Sequence, residues 1–263
     1  MCASLSACSL FVTLDGLTGG DSSDAAPADA SANDVEPSDG GAGDVVSITD
    51  AGGDAFCAND AVFCDDFERD GDVQGSWTSM QTSLGALSIG ARSGGGRALV
   101  ATTQASGGLA LLRKDFSSAM TTGRVSFDIQ LPAGGPGTFY SLELSLGPST
   151  QSLQRSIDVG QRTGATVIYD QLTELDGGYL TGGQTFVSSI ADGTWHHLDV
   201  FTSLAGSGAP TASVNVDGVQ AVAPFSIYAD FTPANPYIEM GIAYASSGTG
   251  ATSVQIDNVE VAF

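Results

Sequence analysis

Several groups of residues combine types and spacings that could do chemistry. In Asp65-Asp66-Phe67-Glu68, Asp66 and Glu68 are two positions apart, so an extended segment puts both carboxylates on one face. Asp257-Asn258 adds further oxygen ligands near the other end. Hard oxygen ligands of this kind suit Ca2+, and the simpler alternative is acids that hydrogen-bond loop backbone. Glu174-Leu175-Asp176 also places two carboxylates on one face. Retaining glycan hydrolysis uses two carboxyl groups about 5–5.5 Å apart, but Gly177-Gly178 follows at once and reads as a hairpin turn. His196 and His197 are the only histidines. Adjacent strand residues point to opposite faces, so the two cannot chelate one ion. No Ser-His-Asp order, phosphate loop or nucleotide fingerprint stands in a supporting context.

The cysteines are Cys2, Cys8, Cys57 and Cys64. Cys57 and Cys64 are close neighbours and would pair in an oxidising compartment. The alternative is two reduced thiols packed as small hydrophobes, and with no histidine nearby they make no zinc site. Trp77, Tyr140, Tyr169, Tyr179, Tyr228 and Tyr237 could stack on sugar rings, because aromatic side chains offer broad rigid apolar area. At strand spacing each also suits core packing.

The elements that must position these groups are strands. Gly193 to Val200 alternates apolar and polar, so His196, Leu198 and Val200 share one face and Trp195, His197 and Asp199 the other. Asp217-Gly218 lies between two alternating arms and predicts a two-residue hairpin pairing Val216 with Val219 and Val214 with Ala221. Further strands are expected over 97–103, 109–116, 124–131, 139–146, 154–159, 166–172, 179–187, 195–204, 212–216, 219–223, 237–245 and 253–263. Val125, Phe127, Ile129 and Leu131 mark an inward face, as do Leu142, Leu144 and Leu146. In the last strand the apolar set changes face between Ile256 and Asp257, which a β-bulge or burial on both faces would explain. About a dozen strands with frequent turns and no helical periodicity predict an all-β sandwich over residues 56–263.

Two sequence stretches carry a resemblance. Asp192-Gly193-Thr194-Trp195-His196-His197-Leu198-Asp199-Val200, followed by Val214-Asn215-Val216-Asp217-Gly218-Val219, resembles laminin-G-like domains of the concanavalin A-like lectin/glucanase superfamily. The resemblance implies a two-sheet antiparallel jelly roll. It makes His196 a packing residue below the core, and it lays the Asp66/Glu68 strand beside the strand of Asp257, where some members hold structural calcium. Glu174-Leu175-Asp176 is similar to the start of the family 16 glycoside hydrolase signature, but the third acid is absent. Leu5-Ser6-Ala7-Cys8 resembles a bacterial lipobox, which implies lipidation of Cys8. Only seven residues precede Cys8, fewer than a basic and apolar leader needs.

Charge and composition bound the partners. The net charge is −22. Residues 1–56 hold ten acids and no base, 57–162 ten acids and all eight bases, and 163–263 ten acids and no base. With no basic stripe, nucleic acid and anionic membrane are excluded as partners, while calcium and neutral glycans are not. Residues 1–18 read as an apolar lipobox-like segment. Residues 19–55 are an Ala/Asp/Gly/Ser segment without aromatics, which cannot offset the entropy of ordering and is expected to be a disordered linker.

The expectation is therefore a monomeric, exported surface protein, non-catalytic, membrane-bound only through a lipid anchor, whose jelly roll binds glycan or another surface partner. The alternatives are a diverged glycosidase or a purely structural module. Paired carboxylates in a buried cleft favour the enzyme, an aromatic-lined sheet favours glycan binding, and a featureless face favours the third.

Overall fold

The computed structural model describes residues 57–263 except 59, 105–106, 134–137, 149–153, 163–164, 174–178, 188–189, 205–208, 228, 230 and 246–249. Cys8, the 19–55 segment, Glu174, Asp176 and Tyr228 lie outside the described residues. Among the described residues there are 15 strands in two antiparallel sheets. The first sheet runs β13 (Val219–Ser226), β12 (Thr211–Val216), β11 (Trp195–Ser203), β6 (Thr122–Gln130), β15 (Thr252–Ala262), β4 (Arg97–Thr103) and β3 (Gly85–Ala91), with β1 (Ala61–Asp65) paired on β15. The second runs β10 (Tyr179–Val187), β9 (Ala165–Thr173), β8 (Gln154–Arg162), β7 (Thr138–Pro148), β14 (Tyr237–Ala245), β5 (Leu109–Asp115) and β2 (Ser79–Ser83). The chain crosses between sheets repeatedly, which makes this a concanavalin A-like jelly-roll sandwich.

The period-2 pattern builds the core. Val125, Phe127 and Ile129 of β6 and Leu198 and Val200 of β11 face Leu142 and Leu144 of β7 and Ile238 and Met240 of β14, all essentially free of solvent. Each such side chain contributes about 1.5–3 kcal/mol by leaving water. β15 has Val254 and Ile256 in this core and also Val259 and Val261. The register against β6 jumps between Asp257 and Glu260, and Asn258 takes a left-handed φ of 50°. The bulge thus turns both halves of the strand inward.

Three departures from the sequence reading have local causes. The Asp217-Gly218 turn has φ of 52° and 74°, as a type I′ hairpin requires, and Val216 pairs with Val219. The register then shifts, so Val214 pairs with Val222 and not with Ala221. The shift buries the larger valine and leaves Ala221 outside. Next, β1 ends at Asp65, so Asp66 and Glu68 do not share a strand face. Phe67 adopts φ 54° and stacks on Trp77 with centroids 6.3 Å apart. Asp65 enforces this turn, accepting hydrogen bonds from Phe67 N at 2.9 Å and Trp77 Nε1 at 2.7 Å and pairing with Arg69. Finally, β2 and β3 are absent from the sequence expectation, because Ser79–Ser83 and Gly85–Ala91 contain few large apolar residues.

Candidate functional site

The outward face of the seven-stranded sheet carries charge where a sandwich usually carries neutral polar residues. Alternation fixes which residues face outward. Leu142 and Leu144 point into the core and leave Glu143 outside; Ile157 and Val159 do the same for Asp158, and Ile238 and Met240 for Glu239. Strand register then lines these acids up. Arg113 of β5 pairs with Glu239, Glu239 with Glu143, and Glu143 with Asp158. Three carboxylates thus occupy adjacent positions on adjacent strands, with Arg113 at one end. Directly opposed residues have Cβ atoms about 4.5–5.5 Å apart. A parallel row one step along holds Asp115, Tyr237, Ser145 and Ser156. Tyr140 flanks the other side. Its ring lies against Gly160, where any Cβ would approach Tyr140 Cδ1 to 2.8 Å.

The contacts are uneven along the row. The Tyr237 hydroxyl donates to Glu143 Oε1 at 2.7 Å. Arg113 NH1 donates to Glu239 Oε1 at 3.2 Å and its Nε to Asp115 Oδ1 at 2.8 Å, while its guanidinium lies 3.6 Å from the centre of the Tyr237 ring. Asp158 is 1% exposed, and the buried Ser156 beside it is its hydrogen-bonding neighbour. Burial and the Glu239 charge push Glu143 up to about 7, against the opposing Tyr237 hydrogen bond. Burial and Glu143 raise Asp158 well above the carboxylate range. Burial raises Glu239 too, but the Arg113 cation and its hydrogen bond oppose that shift. Burial and the neighbouring Glu143 also raise the Tyr237 phenol, so it remains a donor at any ordinary pH.

The residues singled out in the sequence lie elsewhere. Asp66 Oδ1 accepts from Glu68 N at 3.1 Å, and Glu68 Oε1 accepts from Arg97 N at 2.8 Å. Asp257 pairs with Arg92, whose other nitrogen donates to Asp128 Oδ2 at 2.8 Å. The three carboxylates read as calcium ligands therefore each have a protein partner. Among the described residues no group of three or more His, Cys, Asp or Glu side chains is arranged to hold a metal ion. Cys57 and Cys64 are joined, with Cα atoms 6.0 Å apart. His196 does not simply pack: its ring nitrogens lie 2.8 Å from Asp217 Oδ2 and 3.2 Å from Asp192 Oδ1. Trp77 is buried against Phe63 and Phe67, and only Tyr237 and Tyr140 of the candidate aromatics have described side chains at the carboxylate row.

Glu143, Asp158 and Glu239 escaped the sequence reading. The available signal was a lone acid between two large apolar residues, in Leu-Glu-Leu, Ile-Asp-Val and Ile-Glu-Met. Which of these acids become neighbours depends on register, which the sequence does not display.

Comparison with known proteins agrees on architecture. No protein family matches the sequence, and no curated protein does. Among solved structures, the chain is similar to the endo-beta-1,4-glucuronan lyase of the fungus Trichoderma reesei, with TM-score 0.57 and 15% identity over 77% of this chain and 95% of that one. It is also similar to the alginate lyase vAL-1 of a Chlorella virus, with TM-score 0.54 and 11% identity over 72% and 93%. A carbohydrate esterase of the Shiga toxin-encoding bacteriophage phi24B follows, with TM-score 0.50 and 13% identity over 76% and 97%. At these identities the likeness shows the shared jelly roll alone.

Proposed function

We propose that this domain acts on glycans at the Glu239–Glu143–Asp158 row, cleaving them by general acid–base chemistry on paired carboxylates. The observation that carries the reading is the register itself, which sets three acids side by side on a face with a single paired Arg113. Glycoside cleavage needs one carboxyl that keeps its proton and one that does not. Glu143, pushed up to about 7, is the proton donor to the leaving oxygen. Glu239, held toward its charged form by Arg113, is the base or nucleophile. Burial and the charge of Glu239 keep the proton on Glu143. Tyr237 orients Glu143 through its hydrogen bond. Solved structures of the same fold include enzymes named for their action on carbohydrate, which supports the substrate class.

The test is a screen of the full chain against polysaccharides for release of reducing ends, with Glu143→Gln as control. A general acid contributes about 10²–10⁴-fold, so the variant loses that much. Binding that survives in Glu143→Gln without any cleavage by the wild type would leave a glycan-binding module instead.

We further propose that the protein is exported, as the Cys57–Cys64 link supports, because such bonds persist in oxidising compartments. Lipidation at Cys8 belongs to the same proposal. Release of a Cys8→Ser variant from the membrane fraction tests it.

A further inference from the structure

The outer face of the eight-stranded sheet brings together three side chains that stand in the chain order Ser126, Asp128, His197. On β6, Val125, Phe127 and Ile129 fill the core, so alternation turns Arg124, Ser126 and Asp128 outward. β11 lies antiparallel beside it and sets His197 opposite Asp128 and Asp199 opposite Ser126. The His197 ring spans both rungs. Its Nδ1 is 2.8 Å from Asp128 Oδ1, and its Nε2 is 3.1 Å from Ser126 Oγ. Arg92 and Asn258 both donate to Asp128 Oδ2, which keeps this carboxylate in place and ionised. An ionised carboxylate only accepts, so Nδ1 carries the ring proton and Nε2 accepts from the Ser126 hydroxyl. Asp199 Oδ1 lies 3.6 Å from Nε2, too far to replace Ser126 as its partner.

We infer that Ser126, His197 and Asp128 act as nucleophile, base and orienting acid in the hydrolysis of small O-acyl esters, an activity separate from glycan cleavage on the opposite face. A nucleophile bonded to a base that a third group orients is the arrangement acyl transfer needs. Ser126 Oγ bonds to the acyl carbon as its proton passes to His197 Nε2. The bond from that carbon to the alcohol oxygen then breaks, and the alcohol leaves with the proton. Water attacks the acyl-Ser126 ester and gives a proton to Nε2; the carboxylic acid leaves as Ser126 takes the proton back. Arg124 is the cation for the oxyanion. It is the next outward residue of β6 and pairs with Glu260, which lies opposite Ser126 in register. Arg124 and Phe201 share the next rung, where a cavity of about 480 Å3 lined also by Ala262 and Phe263 gives the acyl group room. Ser126 is 7% exposed and the His197 side chain 44%, so only a small acyl carbon reaches the hydroxyl, and the alcohol leaves over the imidazole.

The experiment follows hydrolysis of 4-nitrophenyl acetate and phenyl acetate by the full chain and by Ser126→Ala, His197→Gln and Asp128→Asn, with a melting curve for each. Wild type is expected to hydrolyse both esters, and Ser126→Ala and His197→Gln to lose at least about 100-fold in kcat/KM. Asp128→Asn is expected to lower kcat with KM near wild type, because a His197 in the wrong tautomer still meets ester but cannot take the proton. A fluorophosphonate, which bonds to activated serine, is expected on Ser126 of the wild type by mass spectrometry, a readout that needs no variant to fold. Wild type that hydrolyses neither ester, hydrolysis that survives Ser126→Ala, or a label on another serine overturns the inference. None of these outcomes bears on the glycan reading, whose own test is Glu143→Gln.

Discussion

The outer faces of the two sheets make the same kind of cluster and use it in opposite ways. On the eight-stranded sheet, Asp128 and Asp257 lie opposite one another in register, as Glu143 and Asp158 do on the other sheet. There, however, the charges are met. Arg92 bridges Asp128 and Asp257, Asn258 donates to Asp128 Oδ2 at 2.8 Å, and His197 Nδ1 lies 2.8 Å from Asp128 Oδ1. Arg92 also sits 4.3 Å from the Trp195 ring centre. Although burial opposes it, these hydrogen bonds hold Asp128 below its ordinary pKa, while burial still pushes Asp257 up to about 6 against Arg92. On the seven-stranded sheet Tyr237 and Arg113 at Glu143, and Ser156 at Asp158, offset burial only in part, and both acids move upward. Paired carboxylates with a cation between them clamp a fold; Glu143, with Arg113 one strand away, holds its proton to about pH 7.

The comparison can be broken at its strongest point first. Glu143→Gln is expected to lower kcat/KM on any cleaved glycan by about 10²–10⁴-fold with the melting curve intact. Asp128→Asn, on the other face, is expected to leave kcat/KM within a few-fold. If the two variants behaved alike in activity, the faces would not differ in role.

Next comes stability. Arg92→Ala leaves Asp128 and Asp257 partly buried without their cation and is expected to cost on the order of 3 kcal/mol by denaturant titration. Arg113→Ala should cost less, because one of its two carboxylate partners, Asp115, is exposed to water. Asp158→Asn replaces an acid that already keeps its proton by a neutral amide of similar shape and is expected to change stability little.

Both faces contribute to the pH dependence, Asp257 as pH rises from 3.8 to about 6 and Glu143 at higher pH. Glu143 has a folded pKa of about 7 against an ordinary 4.5. Between those values the folded state holds a proton that the unfolded chain has released. Glu143 therefore favours the fold at low pH, and its contribution declines as pH rises from about 4.5 to 7. Glu143→Gln is expected to flatten that part of the stability profile. Cleavage by the wild type is expected to fall above about pH 7, as the acid loses its proton.

The smallest effects concern the N-terminal edge. Replacing Cys57 and Cys64 by serine opens a short loop and is expected to cost about 2 kcal/mol. Calcium or chelator is expected to shift the melting temperature least of all, since Arg92 already neutralises Asp257 and Glu68 already holds the Arg97 amide. A chelator shift that vanishes in Asp257→Ala would support the reading of Asp66, Glu68 and Asp257 as metal ligands.

Much of the architecture was legible in the chain by itself. Period-2 alternation located the strands from β4 onward, because a strand buried on one face must alternate. Asp217-Gly218 specified its turn, because both positions need positive φ. The change of face at Ile256 and Asp257 announced the bulge. β2 and β3 were not legible, since segments with few large apolar residues carry no such pattern. The site was legible only as parts. The flanking leucines, isoleucines, valine and methionine already turn Glu143, Asp158 and Glu239 outward. Only the pairing of β14 with β7 and of β7 with β8 makes them neighbours, and only burial in that company moves their protons. The same holds for Asp257: the sequence supplied a lone acid near the C-terminus, and the long reach of Arg92 from the β3–β4 turn decided that its partner is a guanidinium.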